Sequence, residues 1–201
     1  MRIIKIIGFL LCSFNLVSCA PVFLAGGSAI VGGSAIEERT LGTQINDKSI
    51  WGKIVAALAK ENKGYSDITV EVNEGRVLLI GQVSGPEDRL EILRIVWKQQ
   101  GVSEVINEIQ IGEDAQTFKN LATDTWITTQ IKSKLLFARD VKSVNYSVET
   151  INSVVYLIGI AQNDAELDAV TSIASKVKYV TQVVSYVRLK DSKIRQNKHN
   201  L

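Results

Sequence analysis

Two stretches decide the fold, "RVLLIGQV" at Arg76–Val83 and "VVYLIGIA" at Val154–Ala161. Val77, Leu79, Ile80 and Gly81 of the first match Val155, Leu157, Ile158 and Gly159 of the second. Both read as strands from their β-branched and aromatic content. Moving outward, the match continues in both directions. Asp47, Ile50, Ile54 and Leu58 correspond at a constant offset to Asp124, Ile127, Ile131 and Leu135, with apolar residues every four positions as one helix face requires. Val102 and Val105 correspond to Val180 and Val183. One unit is therefore written twice.

Each copy has the same order of elements. An opening helix carries Asp47 or Asp124 near its N-cap. Two alternating strands follow, joined as a hairpin at Asn73, Glu74 and Gly75 in the first copy. A second helix starts with Pro86 at an N1-like position, or with Asn163 and Asp164 as cap candidates. A last strand, "SEVINEIQI" or "TQVVSYVRL", closes the sheet. Helix, strand, strand, helix, strand predicts an α+β fold of two tandem modules, each with two helices packed on a small three-stranded mixed sheet. Such a unit has a thin core, so docking of the two copies is expected to help stability.

The flanks divide the rest. Residues 1–18, with Arg2 and Lys5 before an apolar run, read as a secretion signal too short for a retained membrane span. "LVSC" then ends on Cys19 in the pattern of a lipobox, with ordinary signal cleavage that leaves a free thiol, or a buried cysteine in a retained helix, as the alternatives. Residues 19–46 contain "GGSAI" twice and read as a flexible tether. The modules are expected at 47–112 and 123–189, with a linker at 113–122 and a frayed polar tail at 190–201.

Composition excludes several chemistries. Removal of Arg2 and Lys5 takes Lys+Arg from 23 to 21 against an Asp+Glu of 21, so the mature chain is formally neutral and lacks the global field that recruits nucleic acid. Cys12 falls in the removed segment and Cys19 would carry lipid, which leaves no pair for a disulfide. The single histidine, His199, stands in the polar tail, so His-based metal sites and Ser-His or Cys-His nucleophiles have no basis. No phosphate-binding or dinucleotide fingerprint is present. Carboxylate-only chemistry is the one catalytic class left open, and the acidic residues are scattered along the sequence, so the expectation is a non-enzyme without cofactor or metal.

The helix aspartates, the strands ending in "VLLIGQV" and "VVYLIGI", and the closing "GVSEVINEIQI" and "VKYVTQVVSYV" together resemble the BON domain, a module of bacterial envelope proteins. Two copies behind a lipobox resemble the dual-BON outer-membrane lipoproteins. That resemblance implies an acylated, palmitate-bearing Cys19 and a location in the inner leaflet of the outer membrane, facing the periplasm. Ala20 after the cysteine, rather than an aspartate, fits outer-membrane sorting in that family. It further implies binding of anionic phospholipid, phosphatidylglycerol or cardiolipin, through the second module, and support of envelope integrity and stress tolerance at division sites. The alternative is a periplasmic adaptor that modulates outer-membrane protein assembly or septal amidase regulation. Two positions depart from the family pattern. Tyr179 precedes Val180 where glycine is usual, and "TINSV" replaces an asparagine-glycine turn.

Within "TDTWITTQIKSKLLF", Thr123–Phe137, one residue is out of place. On a helical wheel Ile127, Ile131 and Leu135 define the buried stripe, and Trp126 lies about 140° from its centre, beside Gln130, Ser133 and Phe137. The first copy has Ser49 at the comparable position. An exposed Trp and Phe on one face mark either a membrane-interface patch or a docking surface for the other module. Lys132, Lys134, Arg139 and Lys142, opposed only by Asp140 between Thr125 and Val148, favour the membrane. The expected phospholipid-binding residues are Trp126 as a wedge, Gln130 and Phe137 as flanking contacts, and Lys132 and Lys134 as headgroup partners. Trp97, with Leu90 and Leu93 at helical spacing, is expected to pack against the core or the partner module.

Overall fold

A computed structural model of the protein describes residues 39–61, 65–112, 121–193 and 195. The signal segment, Cys19 and the "GGSAI" repeats lie outside the described residues, as do 113–120 of the linker and the chain after 195.

The first module runs α1 (Leu41–Lys60), a 3-10 turn (Tyr65–Asp67), β1 (Thr69–Asn73), β2 (Arg76–Val83), α2 (Pro86–Trp97) and β3 (Glu104–Ile111). The second runs α3 (Leu121–Phe137), a 3-10 turn (Ser143–Asn145), β4 (Tyr146–Ile151), β5 (Val154–Ala161), α4 (Asp164–Ser175) and β6 (Gln182–Leu189). In each sheet the middle strand pairs antiparallel with its hairpin partner and parallel with the last strand, giving orders β1-β2-β3 and β4-β5-β6. The α+β mixed-sheet expectation is met.

Helix α1 starts earlier than expected. Thr40 caps it by accepting the N–H of Thr43 at 3.1 Å, so residues 41–46 are helical rather than tether. Asp47 consequently lies inside the helix and is no cap. Residues 121–122, assigned to the linker, likewise belong to α3.

Both helix aspartates are buried and face the hairpins. Asp47 Oδ2 accepts the N–H of Glu74 and Oδ1 that of Gly75, both at 2.8 Å. Asp124 does the same for Asn152 and Ser153, again at 2.8 Å. Each pair forms a two-residue turn with both φ positive, 53° and 71° in the first module and 52° and 65° in the second. That is the turn geometry a right-twisted hairpin favours. The missing asparagine-glycine turn therefore leaves the loop shape unchanged, because the carboxylate holds it.

Alternation along the central strands builds two cores at once. Val77 and Leu79 join Ile50, Ile54, Leu58 and Ile92 in the first module's core, and Val155 and Leu157 join Ile127, Ile131, Leu135 and Val170 in the second. The intervening residues, Leu78, Ile80, Tyr156 and Ile158, form a third cluster in which the sheets meet back to back. Strands buried on both faces read as continuous apolar runs, which explains "VLLI" and "VYLI". The helices consequently occupy the outer layers.

Polar contacts rim this sheet interface. Arg76 Nη1 donates to the Tyr186 carbonyl at 2.9 Å and its Nε to Glu104 at 3.3 Å, while Arg188 pairs with the same Glu104 and the Tyr186 hydroxyl donates to Glu108. Burial, then the bond to Glu108, pushes the Tyr186 hydroxyl up to about 12. Gly159 of β5 is also accounted for: a Cβ there would sit 2.1 Å from the Asn145 carbonyl oxygen, so no side chain fits.

The tail is not frayed at Arg195. This guanidinium is buried, donates through Nε to both carboxylate oxygens of Glu74 at 3.0 and 3.1 Å, and reaches the Lys190 carbonyl at 3.1 Å. The end of the second module thus clasps the hairpin turn of the first.

Candidate lipid-facing site

Helix α3 contributes the site because its faces are divided unequally. Ile127, Ile131 and Leu135 are buried, while Trp126 keeps 41% and Phe137 81% of its surface exposed. Trp126 is not spent on the module interface, which is made by the opposite face of the sheets. One of the two readings left open by the wheel, burial against the other module, is therefore removed for this residue.

Gln130 is half-buried beside that ridge and Lys134 is exposed on one flank. Lys132 lies on the other flank, about 120° from Trp126 around the helix. It pairs with Glu149 of β4 at 3.5 Å. The positive excess counted along the sequence is therefore smaller in space, since Glu149 crosses from the hairpin. Phe137 stands eleven positions after Trp126, roughly 16 Å along the axis, so the two rings mark the ends of a ridge rather than one contact.

The loop between α4 and β6 adds residues that helix periodicity does not single out. The Tyr179 ring meets Trp126 edge-on, with centroids 5.8 Å apart and planes at 67°. Lys178 places its Nζ 4.6 Å from the Tyr179 centroid, within cation–π range. The signal was present in the sequence as a tyrosine where the first copy has Gly101, but it pointed only to an altered loop.

The first module differs at each of these points. Ser49 and Gly101 stand where the second has Trp126 and Tyr179. It exposes apolar side chains of its own, Trp51 among them on α1 and others on α2. Leu90 is 57% and Trp97 54% exposed, contrary to the expectation that they pack against the core or the partner module. The core of α2 is made instead by Ile92, Ile95 and Val96, with Leu93 partly buried against it as expected. Among the described residues no group of His, Cys, Asp or Glu is arranged to hold a metal, and no helix is long and apolar enough to cross a membrane.

The family model of the BON domain matches twice, over residues 46–113 and 123–191. The chain belongs to the BON-domain family. Its BON modules are shared with curated relatives along most of their length. It is 48% identical over 152 residues to an Anaplasma centrale protein described as an uncharacterized protein in the gshII 5′ region, covering 76% of this chain and 100% of that one. It is 33% identical over 182 residues to the outer membrane lipoprotein DolP of Haemophilus influenzae, covering 86% and 93%. A 21 kDa hemolysin of Actinobacillus pleuropneumoniae is 34% identical over 154 residues, covering 76% and 78%. These relationships match the expected dual-BON architecture.

Proposed function

We propose that this protein is a non-enzymatic, lipid-anchored component of the outer membrane whose second BON module reads anionic phospholipid. The outer-membrane assignment is supported by the likeness to the Haemophilus lipoprotein over 182 residues. Covalent lipid on Cys19 would supply retention, since two or more acyl chains anchor stably, and the module would supply choice of position. Orientation toward the periplasm from the inner leaflet, enrichment at division sites and support of envelope stress tolerance belong to the same reading.

The observation that carries it is Trp126, an amphipathic ring left 41% exposed on an outer helix, away from both its own core and the module interface. Trp is a residue of the headgroup level, where its apolar body and polar edge are both satisfied. Gln130 flanks it, Phe137 ends the same ridge roughly 16 Å along the axis, and Lys134 supplies positive charge close to the headgroups. Lys132 serves as a headgroup partner only by releasing Glu149.

A second reading is an adaptor for envelope proteins involved in outer-membrane assembly or septal amidase control. It is favoured by the exposed Leu90 and Trp97 stripe of the first module. Binding of the full chain carrying Cys19→Ser to phosphatidylglycerol vesicles, with phosphatidylcholine vesicles as control, separates the two. Trp126→Glu is expected to reduce the anionic binding about tenfold or more, a loss of at least ~1.4 kcal/mol, with the circular dichroism spectrum unchanged. Equal binding by parent and variant would favour the adaptor.

A further inference from the structure

We infer that the lipid-reading surface spans two elements: Tyr179 and Lys178, from the loop between α4 and β6, complete what Trp126 begins on α3. The two rings enter the interface together, and Lys178 engages the phosphodiester of an anionic phospholipid. This inference rests on the reading of the Trp126 face as lipid-binding.

Four observations converge on it. Tyr179 has φ 71°, a conformation that an aromatic L-residue adopts at a cost, whereas the corresponding Gly101 has φ 99°. Strain of this kind persists where surrounding structure enforces it and clusters at functional sites. Core packing does not compensate the cost, because the Tyr179 side chain remains 55% exposed. The ring is instead placed edge-on to Trp126, itself exposed, at a position where the first module has Ser49. Finally, Lys178 rests over the Tyr179 ring, and among the described residues no carboxylate pairs with it. Lys132, by contrast, is held by Glu149.

Charge decides the occupant. A cation over an aromatic pair, with no nearby acid bonded to it, suits a ligand with a negative group just above an apolar phase. A free phosphate would satisfy Lys178 and leave both rings in water. A phospholipid surface satisfies all three groups, with the rings at the depth where aromatic belts sit and the ammonium at the level of the phosphates.

The test uses the full chain with Cys19→Ser, so that acylation does not mask weak binding, and vesicles of phosphatidylglycerol or phosphatidylcholine. Glycine suits the left-handed conformation, so Tyr179→Gly is expected to keep or raise the melting temperature while weakening binding to anionic vesicles about fivefold. Tyr179→Phe retains the ring and should bind like the parent. Lys178→Gln should lose about fivefold on phosphatidylglycerol and nothing on phosphatidylcholine. Parent-like binding by Tyr179→Gly, with binding lost in Trp126→Glu, would sink this inference and leave the Trp126 reading standing. A parent that ignores phosphatidylglycerol vesicles would overturn both. Inorganic phosphate at matched ionic strength should fail to displace the protein from vesicles, and displacement would transfer the site to a soluble anion and refute the lipid.

Discussion

Asp124 and Ser153 are joined by a 2.8 Å hydrogen bond from the Ser153 N–H to Oδ1, across a separation of 29 positions in the chain. With the bond from Asn152 to Oδ2, one helix carboxylate satisfies both donors of a turn whose residues have positive φ. The aspartate therefore locks helix to hairpin, and the identical arrangement at Asp47 makes it the organising bond of each module. Asp124→Ala leaves two donors without an acceptor and is expected to cost about 2–4 kcal/mol. Asp124→Asn retains one good acceptor and should cost roughly half as much. Urea unfolding followed by far-ultraviolet circular dichroism measures both, and indifference to the alanine change would show that the turn holds itself.

The clasp between Arg195 and Glu74 gives a second expectation. Both groups are buried, so removing one partner takes from the other its bidentate counter-charge. Arg195→Met is expected to destabilise the chain by about 3 kcal/mol. Glu74→Gln combined with Arg195→Met should recover most of that loss, because an apolar or neutral pair no longer demands a counter-charge. The recovery, read as a double-mutant cycle, distinguishes a clasp from simple loss of packing.

Much of this architecture was legible in the sequence, for a physical reason. Ile127, Ile131 and Leu135 recur at helix spacing, and "VLLI" and "VYLI" recur between turn residues, so burial imposes a periodicity that anyone can count. Trp126 could be singled out because it violates that periodicity. What escaped was long-range or singular. Asp47 looks like a cap when its partners, Glu74 and Gly75, are 27 and 28 positions away. Arg195 sits in a polar run that gives no hint of its buried partner. Leu90 and Trp97 have core-like spacing, yet the core of α2 lies on Ile92, Ile95 and Val96. Tyr179 drew notice only as a departure at a loop, because no repeat length links residue 179 to residue 126.

The sheet-to-sheet cluster predicts coupling between the modules. Ile158 is fully buried between Leu78, Ile80 and Tyr156 in that layer rather than in either helix-facing core. Ile158→Ala is expected to cost about 2–5 kcal/mol, as truncations of buried aliphatic residues do. The loss should fall on both modules. Tryptophan fluorescence of Trp51 and Trp97 in the first module should then report the same lowered unfolding midpoint as Trp126 in the second. Separate midpoints in the parent protein would contradict the shared core.

The seam beside that cluster supplies a pH dependence. Glu71 of β1 is pushed above the ordinary carboxylate range first by burial and then by Glu149 of β4, while a hydrogen bond from Ser147 and the charges of Lys132 and Arg39 oppose the rise without cancelling it. A folded-state value above the unfolded one means that the native state holds this proton more tightly. The stabilisation is complete below the unfolded carboxylate value and is lost as pH climbs through the raised one. The ionised form of Glu71 therefore sits in a place that disfavours charge. Glu71→Gln should raise the melting temperature at pH 7 by ~2–4 °C. The advantage should shrink steadily on acidification and be mostly gone by pH 4.5, the ordinary carboxylate value, as the parent takes up its own proton. Thermal melts of parent and variant at half-unit intervals from pH 7 to pH 4.5 measure that difference directly. A gap that stays constant with pH would assign the gain to packing and refute the electrostatic account of the seam.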